Sequence, residues 1–334
     1  MGDTQTMTAA EIQALAEATL VRCGAKPENA RPLAAAIAAA ERDGIASHGL
    51  LYLPIYVEHL QCGKVDGQAT ATVEQIRPAA LAADAATGFA HAAIDLGFAQ
   101  LIPLAQEQGI ACLTVRNSYN CGVLGYHTER LAKAGLLGLG FTNAPASIAP
   151  VGGKTPVIGT NPLSVAVPDG VGGVAVLIDQ SASVIAKSEV MKHAREGRPI
   201  PEGWALDPDG QPTRDAALGL QGSMAPVGGY KGVSLGLFTE VMAAALSGAN
   251  LGINASPFSG TKGGPPRTGQ CFIAIDPLAA AGESYAGQIA NLVEAIAEQP
   301  GARIPGQGRR AARKRRDRNG IEVPCALLER IGAL

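Results

Sequence analysis

"LSVAVPDGVGGVAVLID", residues 163–179, sets two short runs of alternating apolar residues on either side of the turn-rich "DGVGG". Runs of this length joined by a glycine-rich turn fold back on one another as an antiparallel hairpin. A purely parallel, doubly wound sheet would instead connect its strands through helices. The hairpin therefore argues for a mixed sheet. The glycines agree: 42 of them contain no Gly-x-Gly-x-x-Gly, so an ordinary Rossmann dinucleotide site is disfavoured. "GGKT" at 152–155 has Ile148 where a P-loop needs its first glycine, which removes nucleotide hydrolysis.

Outward from the hairpin, the pattern alternates helix and strand. Thr8-Ala9-Ala10-Glu11 has capping-box spacing ahead of helical periodicity that runs to Cys23-Gly24. A second helix is expected from Pro27 to Asp43-Gly44, with the glycine as C-cap, so His48 falls on the loop leaving it. Further helices are expected at about 87–108, 122–135, 184–197, 230–249 and 282–298, and strands at 109–117, 136–143 and "CFIAID" (271–276). The fold class is α/β of α+β character, with a non-Rossmann central sheet and flanking helices. Residues 1–78 plus 284–334 are expected as a helical subdomain, and 79–283 as the central sheet domain.

The 334 residues are 47% apolar and 17% charged, enough for a substantial core. Net charge is −2, yet eight Lys and Arg against one Asp fall between Arg303 and Arg318, leaving −9 for the remainder. Such asymmetry needs a local cause. A basic tail can bind nucleic acid, but aromatic residues are only 4% and the rest of the chain is acidic. Six scattered cysteines form no C-x-x-C and no zinc spacing, as in a cytoplasmic protein with reduced thiols. No apolar run reaches bilayer length, and no metal site is expected. Ser47 and His48 are sequence neighbours, a poor arrangement for an activated serine, so hydrolysis is disfavoured.

Three polar loops rich in glycine and proline remain as ligand-holding candidates, and with them comes a likeness. "SHG" (47–49) with a following Pro54-x-Tyr56, "IAPVGGKTPVIGTNPLSVAVP" (148–168), "PEGWALDPDGQPT" (201–213) and "GGYKGVSLGLFTEVMAAALSGA" (228–249) resemble the malate/L-lactate dehydrogenase-like NAD(P)H-dependent oxidoreductases. The likeness spans nearly the whole chain. It implies a mainly antiparallel sheet and a homodimer whose interface helps build the site. It also implies hydride transfer between nicotinamide and C2 of a small carboxylate carrying a keto, hydroxy or cyclic imino group. The branches in view are 1-pyrroline-2-carboxylate/1-piperideine-2-carboxylate reductases and 2-hydroxy acid dehydrogenases such as that for 3-sulfolactate.

Reducing C=O or C=N needs a proton donor, a task that suits histidine at neutral pH. The resemblance implies that His48 is that donor and that Ser47 orients it; a capping or surface role is the plain alternative. Relatives carry arginine four residues after this histidine, where a guanidinium can clamp a carboxylate. Tyr52 stands there instead, as a weaker substrate contact or a packing residue. Thr160 and Lys187 match substrate positions, or are a turn and a solvated lysine. Asn120, which replaces a histidine found in some relatives, contacts cofactor or stabilises its loop.

Ile178, Asp179 and Gln180 match a cofactor-binding strand end, with Asp179 alternatively capping a helix. Gly229, Tyr230 and Lys231 open a helix whose N–H groups suit a phosphate. Pro305, Gly306, Gln307, Gly308, Arg309, Arg310 and Ala311 match a further cofactor segment. Arg309 and Arg310 could neutralise a 2′-phosphate, which favours NADPH over NADH. A cofactor-binding relative without turnover is the other reading.

Overall fold

The computed structural model describes residues 3–334. Strand β1 (Thr4–Met7) leads into α1 (Ala9–Arg22), whose capping box is complete: Thr8 N and Oγ1 donate to Glu11 Oε2 at 2.7 and 2.8 Å, and Glu11 N donates back to Thr8 Oγ1 at 3.2 Å. Helix α2 (Pro27–Asp43) starts on proline and stops at Gly44, whose φ of +86° is the left-handed cap. Two 3₁₀ turns, Ala46–His48 and Leu50–Tyr52, lead to α3 (Leu53–Gln61).

Then come β2 (Thr72–Arg77), β3 (Ala80–Asp84), α4 (Ala90–Gln108), β4 (Ile110–Ser118), α5 (Leu124–Lys133), β5 (Leu137–Thr142), β6 (Leu163–Pro168) and β7 (Val174–Gln180). A smaller lobe holds α6 (Lys187–Arg195), β8 (Ala205–Leu206), β9 (Pro212–Thr213), α7 (Ala216–Gln221) and β10 (Ser223–Met224). Helix α8 (Tyr230–Glu240) runs on through a π turn, Val241–Ala245, before β11 (Thr268–Ile275). The chain finishes with α9 (Pro277–Ala281), α10 (Ser284–Ala297), α11 (Gln307–Asn319), β12 (Ile321–Pro324) and α12 (Cys325–Gly332).

Seven strands form the central sheet in the order β2-β3-β4-β11-β5-β6-β7. Only β3 and β4 pair in parallel; the other pairings are antiparallel, as the hairpin requires. The hairpin itself is β6–β7, with Ser164 opposite Asp179. Its turn is fastened by Asp169 Oδ1, which accepts from Val171 N at 2.9 Å and Gly173 N at 2.8 Å. Strand β2 lies before residue 78 yet pairs with β3, so the sheet begins at Thr72 and not at 79. Period-2 alternation is weak there because most of β2 is exposed and takes polar residues on both faces.

The ends of the chain meet. β1 and β12 pair antiparallel, and Ile321, Val323, Leu327 and Ile331 pack into one core with Ile12, Leu20, Leu33 and Ile37. Burying a residue of this size contributes roughly 1.5–3 kcal/mol. The two faces of the central sheet are treated differently. Leu81, Leu113, Val115 and Phe272 are sealed beneath α4 and α5 with Ile94, Phe98 and Leu131. On the other face Leu139, Leu163, Ile273 and Cys112 are only partly buried, around Phe141, Cys271 and the π turn's Ala243. Among the described residues no helix is long and apolar enough to cross a membrane.

Candidate active site

The turn that carries His48 is built from α2. Once Gly44 ends that helix, residues 46–48 wind into a 3₁₀ turn and Ser47 Oγ comes to lie 3.1 Å from His48 Nδ1. That contact leaves Nε2 free for other chemistry. The glycine of the SHG motif is required by packing. A Cβ on Gly49 would sit 2.2 Å from Oε1 of Glu41, the same oxygen that accepts from Leu50 N at 2.8 Å. Burial raises the pKa of Glu41, against the pull of its Leu50 hydrogen bond and of Arg316. Burial lowers that of His48; the Asp179 charge opposes this and Arg309 adds to it.

Asp179 and Arg309, whose charges reach His48, are themselves an ion pair. Arg309 Nη2 donates to Asp179 Oδ2 at 2.8 Å, and Gly125 N, in the first turn of α5, donates to the same oxygen at 2.9 Å. The carboxylate thus stands at a helix N-terminus, where a negative charge is favoured. A Cβ on Gly125 would come within 2.6 Å of Arg309 Nη1 and 2.7 Å of Asp179 Oδ2, so only glycine allows this meeting. Arg309 Nη1 itself is buried without a partner.

The 305–311 segment lies along β7. Leu177 N donates to Pro305 O at 3.1 Å, and Gly306 (φ +87°) lies so close that a Cβ would be 2.8 Å from that of Leu177. Gln307 Oε1 accepts from Ile304 N at 3.2 Å where α11 begins, with Gly308 and Ala311 in the first turns. Ile178 O accepts from Ser164 Oγ at 2.8 Å, and Gln180 is exposed at the strand end. Arg310 Nη1 donates to Val174 O at 3.0 Å and Ala175 O at 3.1 Å, so its guanidinium holds the helix to the sheet edge.

Much of the basic run is committed in the same way. Arg313 pairs with Asp43 and Glu129, and Arg316 donates to Glu41 O. These contacts are the local cause of the charge asymmetry: the arginines answer acidic groups on α2, α5 and β7.

Tyr52 lies beside His48, its ring nearly parallel to the imidazole at 9° with centroids 6.4 Å apart. Its hydroxyl is 3.4 Å from Phe258 O, to which it donates, and accepts from Asn120 Nδ2 at 3.4 Å. Asn120 Oδ1 accepts from Tyr56 OH and from Gly122 N, both at 3.1 Å. The amide of Asn120 thus ties its loop to Tyr52 and Tyr56.

Thr160 is placed by its neighbours. Its carbonyl accepts from Ala182 N at 2.7 Å, and the next residue, Asn161, takes a φ of +35°. Asn161 is held by Gly236 O at 3.0 Å and by the buried carboxylate of Glu240, which also receives Gly252 N at 2.6 Å. Gly229 and Tyr230 line a cavity of about 410 Å3 with Pro150 to Lys154. Helix α8 starts there without a side-chain cap, and Gly228 and Gly229, at φ +60° and +64°, leave the space before its N–H groups clear. Lys231 sits in that first turn, exposed. Val227 N donates to Ala182 O at 2.8 Å, which joins this cavity to the end of β7.

Lys187 opens α6 at a smaller cavity of about 220 Å3, beside Ser147, whose buried hydroxyl has no partner. Desolvation lowers the lysine's pKa.

The pentad Gly232-Val233-Ser234-Leu235-Gly236 has the Gly-x-Ser-x-Gly spacing of a hydrolase elbow. Ser234 lies within α8 and donates to Tyr230 O at 3.0 Å, so it is not a nucleophile on a strand-to-helix turn. Sequence reasoning missed Tyr119, His59 and Glu240, and used Tyr56 only as a motif residue without giving it a contact. Tyr56 carried a signal, four residues after Tyr52 and so on the same helical face. Among the described residues no three His, Cys, Asp or Glu side chains gather as a metal site.

The malate/L-lactate dehydrogenase family matches residues 7–332. A (2R)-3-sulfolactate dehydrogenase (NADP(+)) from Chromohalobacter salexigens is 41% identical over 323 residues, 97% of this chain and 96% of that one. A Delta(1)-pyrroline-2-carboxylate reductase from Ancylobacter novellus is 38% identical, covering 98% of this chain and 97% of its own. The crystal structure of delta1-piperideine-2-carboxylate reductase from Pseudomonas syringae pvar. tomato superposes with a TM-score of 0.92 at 35% identity, over 98% of this chain and 99% of that one. The chain belongs to the malate/L-lactate dehydrogenase family.

Proposed function

We propose that this protein is an NADPH-dependent reductase of small 2-oxo or cyclic 2-imino carboxylates, with His48 as proton donor and Ser47 orienting it. The observation that carries the reading is the 3.1 Å contact of Ser47 Oγ with His48 Nδ1. It has support from the relatives named as a sulfolactate dehydrogenase and as pyrroline-2-carboxylate reductases. A bound nicotinamide would supply the hydride.

The residues present fit such a cofactor. The uncapped start of α8 at Gly229, Tyr230 and Lys231 offers N–H groups and an ammonium to phosphate, and Arg309 Nη1 is a buried donor still without an acceptor. Ile178 to Gln180 and Pro305 to Ala311 would form the wall along which it lies. The NADP(+) in the name of the Chromohalobacter enzyme supports NADPH over NADH. Thr160, Lys187 and Tyr52 are the substrate contacts in this reading, with Lys187 as the cation for a carboxylate.

The same reading makes the protein a homodimer in the cytoplasm. Its support is the half-covered sheet face together with exposed Leu237 (46%), Phe238 (50%) and Val241 (57%) on the helix beside it. Leu139→Asp should yield monomers by light scattering, and a variant that stays dimeric refutes this face.

The enzymatic test is a panel of 2-oxo and cyclic 2-imino carboxylates followed by NADPH and NADH oxidation. NADPH turnover that His48→Ala abolishes is expected; cofactor binding with no turnover across the panel overturns the enzyme reading.

A further inference from the structure

Three side chains near α3 reach across to one loop. Lys64 Nζ donates to Pro257 O at 2.6 Å, Tyr52 OH to Phe258 O at 3.4 Å, and His59 Nε2 to Gly260 O at 3.1 Å. The acceptors fall within four residues of one another, and the donors come from α3 and its two flanks, Tyr52 just before it, His59 within it and Lys64 just after it.

The arrangement is costly by general electrostatics. Lys64 is fully buried and meets a carbonyl with no carboxylate within ion-pair range, while desolvation lowers its pKa. His59 is equally buried. A carbonyl can only accept, so His59 Nε2 carries the proton towards Gly260, and Nδ1 is left to accept from the Tyr119 hydroxyl. Tyr119 packs edge-on to Tyr56 and His59 and against Phe258 with centroids 5.4 Å apart. The loop is therefore held at its backbone by donors and at Phe258 by rings, and the ring of Tyr52 also lies against His48.

We infer that the loop 256–264 is the wall of the substrate pocket that sets which substrates fit beside His48, and that His59 and Lys64 are positioning residues that fix its distance. This rests on the reading of His48 as proton donor. Carbonyls carry no side-chain identity, so this attachment fixes where the loop backbone runs. The size of the pocket follows from that.

The test compares Lys64→Met and His59→Leu with the conservative Lys64→Arg and His59→Gln in the full-length protein. Each is assayed with NADPH on a small substrate, pyruvate, and a bulkier ring, 1-piperideine-2-carboxylate. The ratio of their kcat/KM values cancels the amount of folded enzyme. Lys64→Met and His59→Leu are expected to shift that ratio by about tenfold, the scale on which pockets discriminate by size. KM for NADPH should stay within about twofold, and the conservative pair should restore most of the ratio. An unchanged ratio in both Lys64→Met and His59→Leu overturns the wall. Full activity in His48→Ala together with a shifted ratio overturns the proton donor and keeps the wall.

Discussion

Arg309 and Arg313 stand one turn apart on α11 and are used differently. Arg313 is locked between two carboxylates, at 2.8 Å from Asp43 and 2.6 Å from Glu129, and ties α11 to α2 and α5. Arg309 has one carboxylate, Asp179, and keeps a buried nitrogen without a partner. A saturated guanidinium holds structure; an unsaturated one holds donor capacity in reserve. The difference teaches that a basic run of sequence can hide two functions, separable only by counting each arginine's partners.

That contrast can be broken most forcefully at the site. His48→Ala should cost about 10²–10⁴-fold in kcat for reduction, the usual worth of a general acid, while urea unfolding changes little. An equal loss of stability would make His48 structural. Arg313→Ala should do the reverse. Leaving Asp43 without its arginine and Glu129 with Lys133 alone should cost about 3–5 kcal/mol in urea unfolding, with turnover per folded molecule retained. Arg309→Met should lie between them, raising KM for NADPH by about tenfold, with little effect on unfolding because Asp179 keeps Gly125 N.

Two pH dependences sharpen the same division. Burial pushes the Glu129 carboxyl up, but Arg313 and Lys133 together bring it below its ordinary value. A carboxylate lowered on folding contributes stability above its unfolded pKa, and that stability is lost as pH falls through the folded value. Acid unfolding in the Arg313→Ala variant should keep only the smaller part of this component that Lys133 supplies. Burial lowers the His48 pKa, so its proton-donating form is lost below the ordinary histidine range. The kcat/KM for reduction should therefore already be falling as pH rises towards neutrality, and the oxidation direction should hold up there; an ordinary histidine midpoint would remove the burial argument.

The sequence made some of this legible and not the rest. Local chemistry read well: the Thr8 capping box, the Gly44 cap and the β6–β7 hairpin all depend on a few adjacent residues. The family likeness supplied His48 and Ser47 as candidates, which spacing alone left as a loop histidine and its neighbour. Strand β2 was hidden because an edge strand need not alternate, and the 78/79 division cut through the hairpin that contains it. The partners of Tyr52 lie 68 and 206 residues away, a separation that no local pattern encodes. The arginines of α11 read as one basic run because their acids sit on three other elements.

The attachment of α11 to β7 has a consequence for solubility. β7 is the last strand of the sheet, and an edge strand with open N–H and C=O groups is a template for pairing with another chain. Leu177 N is taken by Pro305, and the carbonyls of Val174 and Ala175 by Arg310. The segment that brings Arg309 to Asp179 thus also seals a seam along which molecules would otherwise stack. A lesion that frees it would show first as aggregation on storage, before any loss of helix.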